Sequence, residues 1–594
     1  MKNIFKFSVI AAAALTLSSC NDFGDMNVDP EHLSAGTMNT ALIFTNAQHQ
    51  ALGSDWDAWR NGMIYMSGYN QHVAAGGWWW SYPLNSFSND YASSYWGSVL
   101  SGGDRGSIRD LQVCLDEWKD DGTNPNKDNY NIARIVRVYI MQRVSDMHGD
   151  IPYSEAGQPA LYAYPKYDKQ QDIYEDMLNV LQDAYATLGS GTASLGKQDI
   201  WYNGDIAKWK KFANSLMLRV AMRLSKVDPA KAKEWAARAY SNGVITDNAD
   251  DCYLIHGGAV FTNDSCEPYA KIISHEDQDV PYIHETFYNI LKGYNDPRIP
   301  LIMAIYPEED ARNGSEMKKD YMASAAMVSN CAPELQKGLP GFMSMNNKAN
   351  SKWSIQFFYP EYTDEILTQP SSANYYKWTH SRPNHFTYGD AEAPTWVVTA
   401  AQTNLLLAEA AYRGWIGGNA EQFYNDGVRC AMKQFNTYPS SGAKTLCGTY
   451  LTDEAIAKYL EGPAKYDASK ALELINTQYY ITCFCDEYET FANLRRSAYP
   501  QIDTTTPFAR WNDGKEGHNV WSQIGNFPKD GNFSAYKDGF CRAWIRRYPY
   551  PASERGINSK NYDEAIVRLG LPSGSTESDF NDTRVWWDTD VDPR

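Results

Sequence analysis

Flat aromatic side chains set among amides and carboxylates carry the most evident chemistry in this chain. Gly76-Gly77-Trp78-Trp79-Trp80-Ser81-Tyr82 is followed by Asn85, Asn89, Asp90, Tyr91, Tyr95 and Trp96. A second stretch runs from Trp353 to Tyr362 and on through Asn374-Tyr375-Tyr376-Lys377-Trp378-Thr379-His380 to Arg382, Asn384 and His385. Such rings stack on the apolar C–H faces of sugars, while neighbouring amides, carboxylates and guanidinium groups satisfy the hydroxyls. Trp78, Trp79, Trp80, Tyr82, Trp96, Tyr375, Tyr376, Trp378 and Arg382 are therefore the candidate ligand-binding residues. Three successive tryptophans cannot all face one way, so at least one packs inward. Trp56 and Trp59, three residues apart, are expected to pack on a helix.

Composition agrees with a half-wet aromatic surface. Aromatic residues make up 14% of the 594 residues, with 41 Tyr against 21 Phe. With 43% hydrophobic and 21% charged residues, the chain reads as soluble and globular rather than disordered or multiply membrane-spanning. The formal net charge of -18 repels phosphate backbones and disfavours nucleic acid as a partner.

Catalytic constellations are not evident. No nucleophile elbow, phosphate loop or His-Glu-x-x-His motif occurs, and 72 acidic residues make a glycosidase-like carboxylate pair uninformative. His256, His275, His284, His380 and His385 are scattered in irregular sequence and read as solvated. The alternating carboxylates of Asp588-Thr589-Asp590-Val591-Asp592 lack the glycine and distal glutamate of a calcium loop and read as a solvated tail. No catalytic residue, metal ligand or cofactor is assigned.

The first twenty residues hold a positively charged start, a ten-residue apolar run from Ser8 to Leu17, and Ser18-Ser19-Cys20. As a helix that run would extend about 15 Å, half the roughly 30 Å hydrocarbon core, which argues for a cleaved signal rather than a span. Leu17-Ser18-Ser19-Cys20 resembles the lipobox of bacterial lipoproteins, so residues 1–19 are expected to be removed and Cys20 lipidated. Residues 20–37 then form a polar tether, whose Asp22 and Asp25 resemble surface-export signals. Nine further cysteines at low density, with no Cys-x-x-Cys pair, read as buried thiols.

The elements that must position the aromatic stretches are helices. Ile132, Ile135, Val136, Tyr139, Ile140, Val144 and Met147 repeat at three and four, as do Ile206 to Leu224. Asp205 and Asp228-Pro229 are helix starts, and Asn242-Gly243 is a stop, which makes residues 205–243 a helical hairpin near the size of a tetratricopeptide unit. Thr399 to Arg413 and Ala420 to Phe435 form a second hairpin whose small residues allow close approach. Further helices are expected over Ile173–Leu188, Ile456–Leu460 and Ala468–Ile475. Residues 68–104, 252–307, 338–394 and 498–554 show neither helical nor strand period, and loops this long are usually functional. Short strand pairs within them would be minor elements.

Several segments resemble one family in order along the chain. His148-Gly149-Asp150-Ile151-Pro152-Tyr153-Ser154-Glu155-Ala156 is similar to the signature of SusD/RagB-type nutrient-binding outer-membrane lipoproteins. Asn27-Val28-Asp29-Pro30, Lys211 to Arg219, Asn404 to Ala410, Arg546-Arg547-Tyr548-Pro549-Tyr550-Pro551 and Val585-Trp586-Trp587-Asp588 agree with it. The resemblance implies a mainly α fold, a tetratricopeptide-like helical hairpin scaffold with long irregular loops and minor β pairs, in a single domain over 38–594. It implies a lipid-anchored protein of the outer membrane, facing the cell exterior, that captures oligosaccharide or polysaccharide for a SusC-like TonB-dependent transporter and is not an enzyme. An oligopeptide-binding lid is the alternative, and a surface glycoside hydrolase a more distant one. The family-like segments, Trp586 and Trp587 included, are assigned to the scaffold.

Overall fold

The computed structural model describes residues 39–75, 89–100, 106–191, 195–257, 265–275, 281–306, 312–313, 316–317, 325–338, 380–501, 536–537, 540–541, 546–575 and 583–589. Helices dominate, and the strands form only two-stranded antiparallel pairs.

Capping chemistry sets the first predicted hairpin. The Asp205 carboxylate accepts from the backbone N–H groups of Ala207 and Lys208 at 2.9 and 3.1 Å and starts Ile206–Arg223. Asp228 accepts from Lys231 N–H at 3.0 Å, Pro229 occupies the first turn, and Pro229–Asn242 ends at Gly243. The second hairpin, Ala400–Tyr412 and Ala420–Lys433, opens on a capping box between Thr399 and Gln402. Its helices approach so closely at Gly427 that a Cβ there would stand 2.8 Å from Leu405 Cγ. Lys127–His148 and Gln170–Thr187 complete the run of packed neighbours.

The stretches without period hold more helix than their sequence suggested. Ser94–Val99, Pro268–His275 and Glu285–Gly293 are helical, and Val73–Ala75 pairs with Pro281–Ile283. Cys252–Ile255 pairs with Pro394–Val398. These elements pack on the scaffold, so burial rather than local period decides them.

The family-like segments meet at the end of the 127–148 helix. Asp146 accepts from Trp587 Nε1 at 3.0 Å, Arg223 Nε at 3.2 Å, Gln142 Nε2 at 3.2 Å and the Tyr174 hydroxyl. Tyr548 N–H donates to Met147 O at 2.8 Å, and Arg547 Nη1 to His148 O at 2.8 Å. Asp588 is buried, not solvated as the alternating carboxylates suggested. Arg546 Nη2 donates to it at 2.5 Å and Lys226 Nζ at 3.2 Å, and a carboxylate with two cationic partners tolerates the interior.

The loop histidines are likewise internal. His256, His284, His380 and His385 are all 5% exposed or less. The eight described cysteines of known surroundings carry no disulfide, and six of them are buried.

Candidate functional site

Two of the nine predicted ligand residues lie among those described, and both are interior. Trp96 is 1% exposed, enclosed by His148 at 5.0 Å, Tyr550 at 6.0 Å and Tyr167 at 6.1 Å between ring centroids. Arg382 is also 1% exposed, with its guanidinium 4.3 Å from the Tyr306 ring centroid and donating to Ile273 O at 3.4 Å. Neither offers a face to a ligand. A large ring next to a helical turn gains more from burial than from stacking on a solvated sugar, which corrects the assignment of these two residues. Trp78, Trp79, Trp80, Tyr82, Tyr375, Tyr376, Trp378 and Cys20 lie outside the described residues.

Among the described residues an exposed aromatic cluster centres on Trp56, half exposed at 51%. Its ring stands 5.4 Å from that of Trp59, which is 5.5 Å from Tyr91, and the Arg60 guanidinium sits 4.6 and 4.7 Å from the Trp56 and Tyr91 rings. The i to i+4 spacing of Trp56 and Arg60 places the cation on the ring, a contact worth about 0.5–1 kcal/mol at an exposed site. That spacing was legible in the sequence. The expectation that Trp56 packs on a helix passed over its surroundings, Asp55, Asp57 and Arg60, which keep a ring near water.

Asp55 and Asp57 line a polar cleft of about 130 Å³. Thr40–Ala51 contributes Asn46, His49 and Gln50 to it, and Pro268–His275 contributes Pro268 and Lys271. Gly53, at φ +86°, makes the turn between the 40–51 helix and the Ser54 cap. Asp57 is saturated: Ser54 N and Oγ donate at 2.8 and 2.9 Å, Ser94 Oγ at 2.5 Å and Ser98 Oγ at 3.0 Å. Asp55 is paired with Lys271. Gln50 Nε2 donates to Asn46 Oδ1 at 3.2 Å, and Asn46 Nδ2 to Asp110 Oδ2 at 2.8 Å. With Asp55 ion-paired and Asp57 hydrogen-bonded, the cleft presents amides, imidazole and hydroxyls, and Trp56 lies between its two aspartates in the sequence, a chemistry that suits a polyhydroxylated ligand.

Among the described residues no group of three His, Cys, Asp or Glu side chains could hold a metal ion, and no helix is long and apolar enough to cross a membrane.

A family model of SusD-like proteins, described as starch-binding and associating with the outer membrane, matches residues 33–516. No curated protein matches the chain. Among solved structures, a chitin-binding protein is 28% identical, with a TM-score of 0.68 over 93% of this chain and 100% of that one. A Bacteroidetes SusD-like protein is 25% identical, with a TM-score of 0.69 over the same shares. A SusD-like protein from Bacteroides thetaiotaomicron is 22% identical, with a TM-score of 0.62 over 93% of this chain and 99% of that one, and supports the fold. The order of buried segments around Asp146 and the match across most of the sequence agree, and the chain belongs to the SusD-like family.

Proposed function

We propose that this protein is a lipoprotein of the outer membrane, anchored through Cys20 and facing the cell exterior, that captures oligosaccharide or polysaccharide and delivers it to a SusC-like TonB-dependent transporter. In this reading residues 1–19 are the signal peptide, 20–37 the tether and 38–594 a single SusD-like domain. The observation that carries it is the half-exposed Trp56, with Trp59, Tyr91 and Arg60, next in sequence to Asp55 and Asp57 of the polar cleft. The chitin-binding relative supports a glycan ligand, and Trp78, Trp79, Trp80, Tyr82, Tyr375, Tyr376 and Trp378 are proposed as further ligand-binding residues. Binding without catalysis fits the cleft's two carboxylates, since Asp57 is saturated and Asp55 tied to Lys271, leaving neither placed as a glycosidase acid or base.

Affinity electrophoresis and calorimetry of the chain from Asn21, against a panel of polysaccharides and a peptide digest, test the proposal. Retention by a glycan without release of reducing sugar supports it. Heat from peptides alone makes this an oligopeptide lid, and released sugar makes it a hydrolase.

A further inference from the structure

The Cys266–Glu267 peptide is a partition. Cys266, Pro268 and Lys271 face the polar cleft, while Glu267 lines a smaller interior chamber of about 40 Å³ on the other side. The Glu267 carboxylate is 5% exposed and has two donors: Ala270 N–H at 2.7 Å, which caps the 268–275 helix carrying Lys271, and Thr395 Oγ1 at 2.9 Å. Thr395 Oγ1 is in turn 2.9 Å from His256 Nε2. The His256 ring lies 6.5 Å from that of His49, centroid to centroid, and His49 lines the cleft. A hydrogen-bonded line therefore runs from the chamber through Thr395 to His256, and an edge-to-face ring contact carries it on to His49 at the cleft wall.

A hydroxyl has one proton to give, which makes this line directional. While Glu267 is a carboxylate, Thr395 donates to it and must accept from His256 Nε2–H. When Glu267 takes up a proton and donates to Thr395, the hydroxyl turns and donates to His256 Nε2, which must then be bare, with the imidazole proton on Nδ1. One proton has been taken from solvent onto the carboxyl, and the imidazole has exchanged tautomer and stayed neutral.

We propose that Glu267 is a positioning residue of the cleft, whose protonation reverses the Glu267–Thr395–His256 line and resets the tautomer of the imidazole packed on His49. The surroundings allow it. Burial pushes the Glu267 carboxyl up to about 7, and burial together with His49 holds His256 down at about 4, so the carboxyl titrates while the imidazole does not. Of the groups around Glu267, Asp390, beside the Ala391 carbonyl that accepts the Glu267 N–H, is raised by burial to about 6 and so titrates below it, and burial raises Asp486 as well. Arg143 and Asp486 are paired at 2.8 Å, and burial raises the Tyr438 hydroxyl and the thiols of Cys266 and Cys485. The coupling to ligand rests on the reading of the cleft as the binding site.

The experiment uses the full soluble chain with isotope-labelled histidine. Ring-nitrogen shifts of His256 are followed by NMR from about pH 6 to about pH 8. The expected result is an exchange of the protonated nitrogen with a midpoint near 7, absent in Glu267→Gln and in Thr395→Val, with both variants folded by circular dichroism. An unchanged tautomer in the wild type, or an exchange that persists in Glu267→Gln, overturns the proposal. Calorimetry with a chitin hexasaccharide at the two ends of the range is the second readout. A change in Kd of about fivefold, lost in Glu267→Gln, supports the coupling, and equal Kd values at both ends overturn it. No heat at either end, with the tautomer exchange intact, overturns the ligand reading of the cleft and leaves the hydrogen-bonded line established.

Discussion

Arg496 clasps Glu409 with both terminal guanidinium nitrogens, at 2.7 and 2.8 Å, across 87 residues of sequence. The pair is fully buried, and Arg413 adds a third contact at 2.9 Å. Burial alone would push the Glu409 carboxyl up, but Arg496 and Arg413 overrule it and hold it well below the usual carboxylate range. Removing one partner strands a buried charge, at a cost of about 3–5 kcal/mol. Glu409→Gln is expected to lower the urea midpoint sharply, and an unchanged midpoint would mean that the arginines find other acceptors.

Trp56 is the residue on which the ligand reading turns. Trp56→Ala is expected to weaken glycan binding about five- to tenfold while the melting temperature stays within about 1 °C, because an exposed ring contributes stacking but little packing. Trp78→Ala, Trp80→Ala and Trp378→Ala belong in the same assay. A melting shift with binding intact reassigns the ring concerned to the scaffold.

Trp96 should behave in the opposite way. Enclosed by His148, Tyr167 and Tyr550, it leaves a large cavity when removed, and Trp96→Ala is expected to cost about 3–5 kcal/mol. Chemical denaturation of the variant measures this, and a loss of binding at unchanged stability would return Trp96 to the ligand site.

Two sets of buried groups oppose each other as pH falls. Burial holds His148 and His284 down at about 3 and His256 at about 4. Their folded values lie below the unfolded one, so their contribution is present above about 6.5 and is lost as the pH falls. Burial raises Glu267 and Asp251 to about 7, so theirs is complete below about 4 and is lost as the pH rises through 7. The two slopes offset each other between about 7 and about 4.5. Below that only losses remain, joined by Glu489, which burial pushes up but Arg223 and Arg219 hold at about 2. Calorimetric melting temperatures should be nearly level down to about pH 4.5 and then fall steeply. Glu267→Gln should start the decline earlier, and a uniform slope from neutrality in both proteins would contradict the assignment.

The proposed membrane attachment rests on one thiol. Cys20→Ala is expected to move the protein from the membrane fraction to the soluble one with its circular dichroism unchanged. Persistence in the membrane after a salt wash would sink the lipid anchor.

The scaffold was readable because its signals are local. Asp205, Asp228-Pro229 and Thr399 declare helix starts by capping chemistry, and the repeats at three and four declare the buried face. His256, His385, Asp588 and Trp96 read as exposed in the sequence because their partners are distant in it: Thr395 for His256, Ser274 for His385, Arg546 and Lys226 for Asp588, and Tyr550 for Trp96. Nothing local separates a buried polar residue with a remote partner from an exposed one. Trp56 failed in the reverse sense, since spacing alone says that two rings share a face and not whether that face is covered.

Trp587 and Asp588 bond to Asp146 and Lys226, groups that leave the ribosome more than 300 residues earlier. The polar heart of the scaffold therefore stays open, its Asp146 without one donor and its Lys226 without its carboxylate, until residues 587 and 588 have been made. A chain so arranged cannot close this core before the segment carrying Trp587 and Asp588 has been added. If the protein is threaded through a membrane as proposed above, late closure is an advantage, because the polypeptide reaches the far side still unfolded enough to pass.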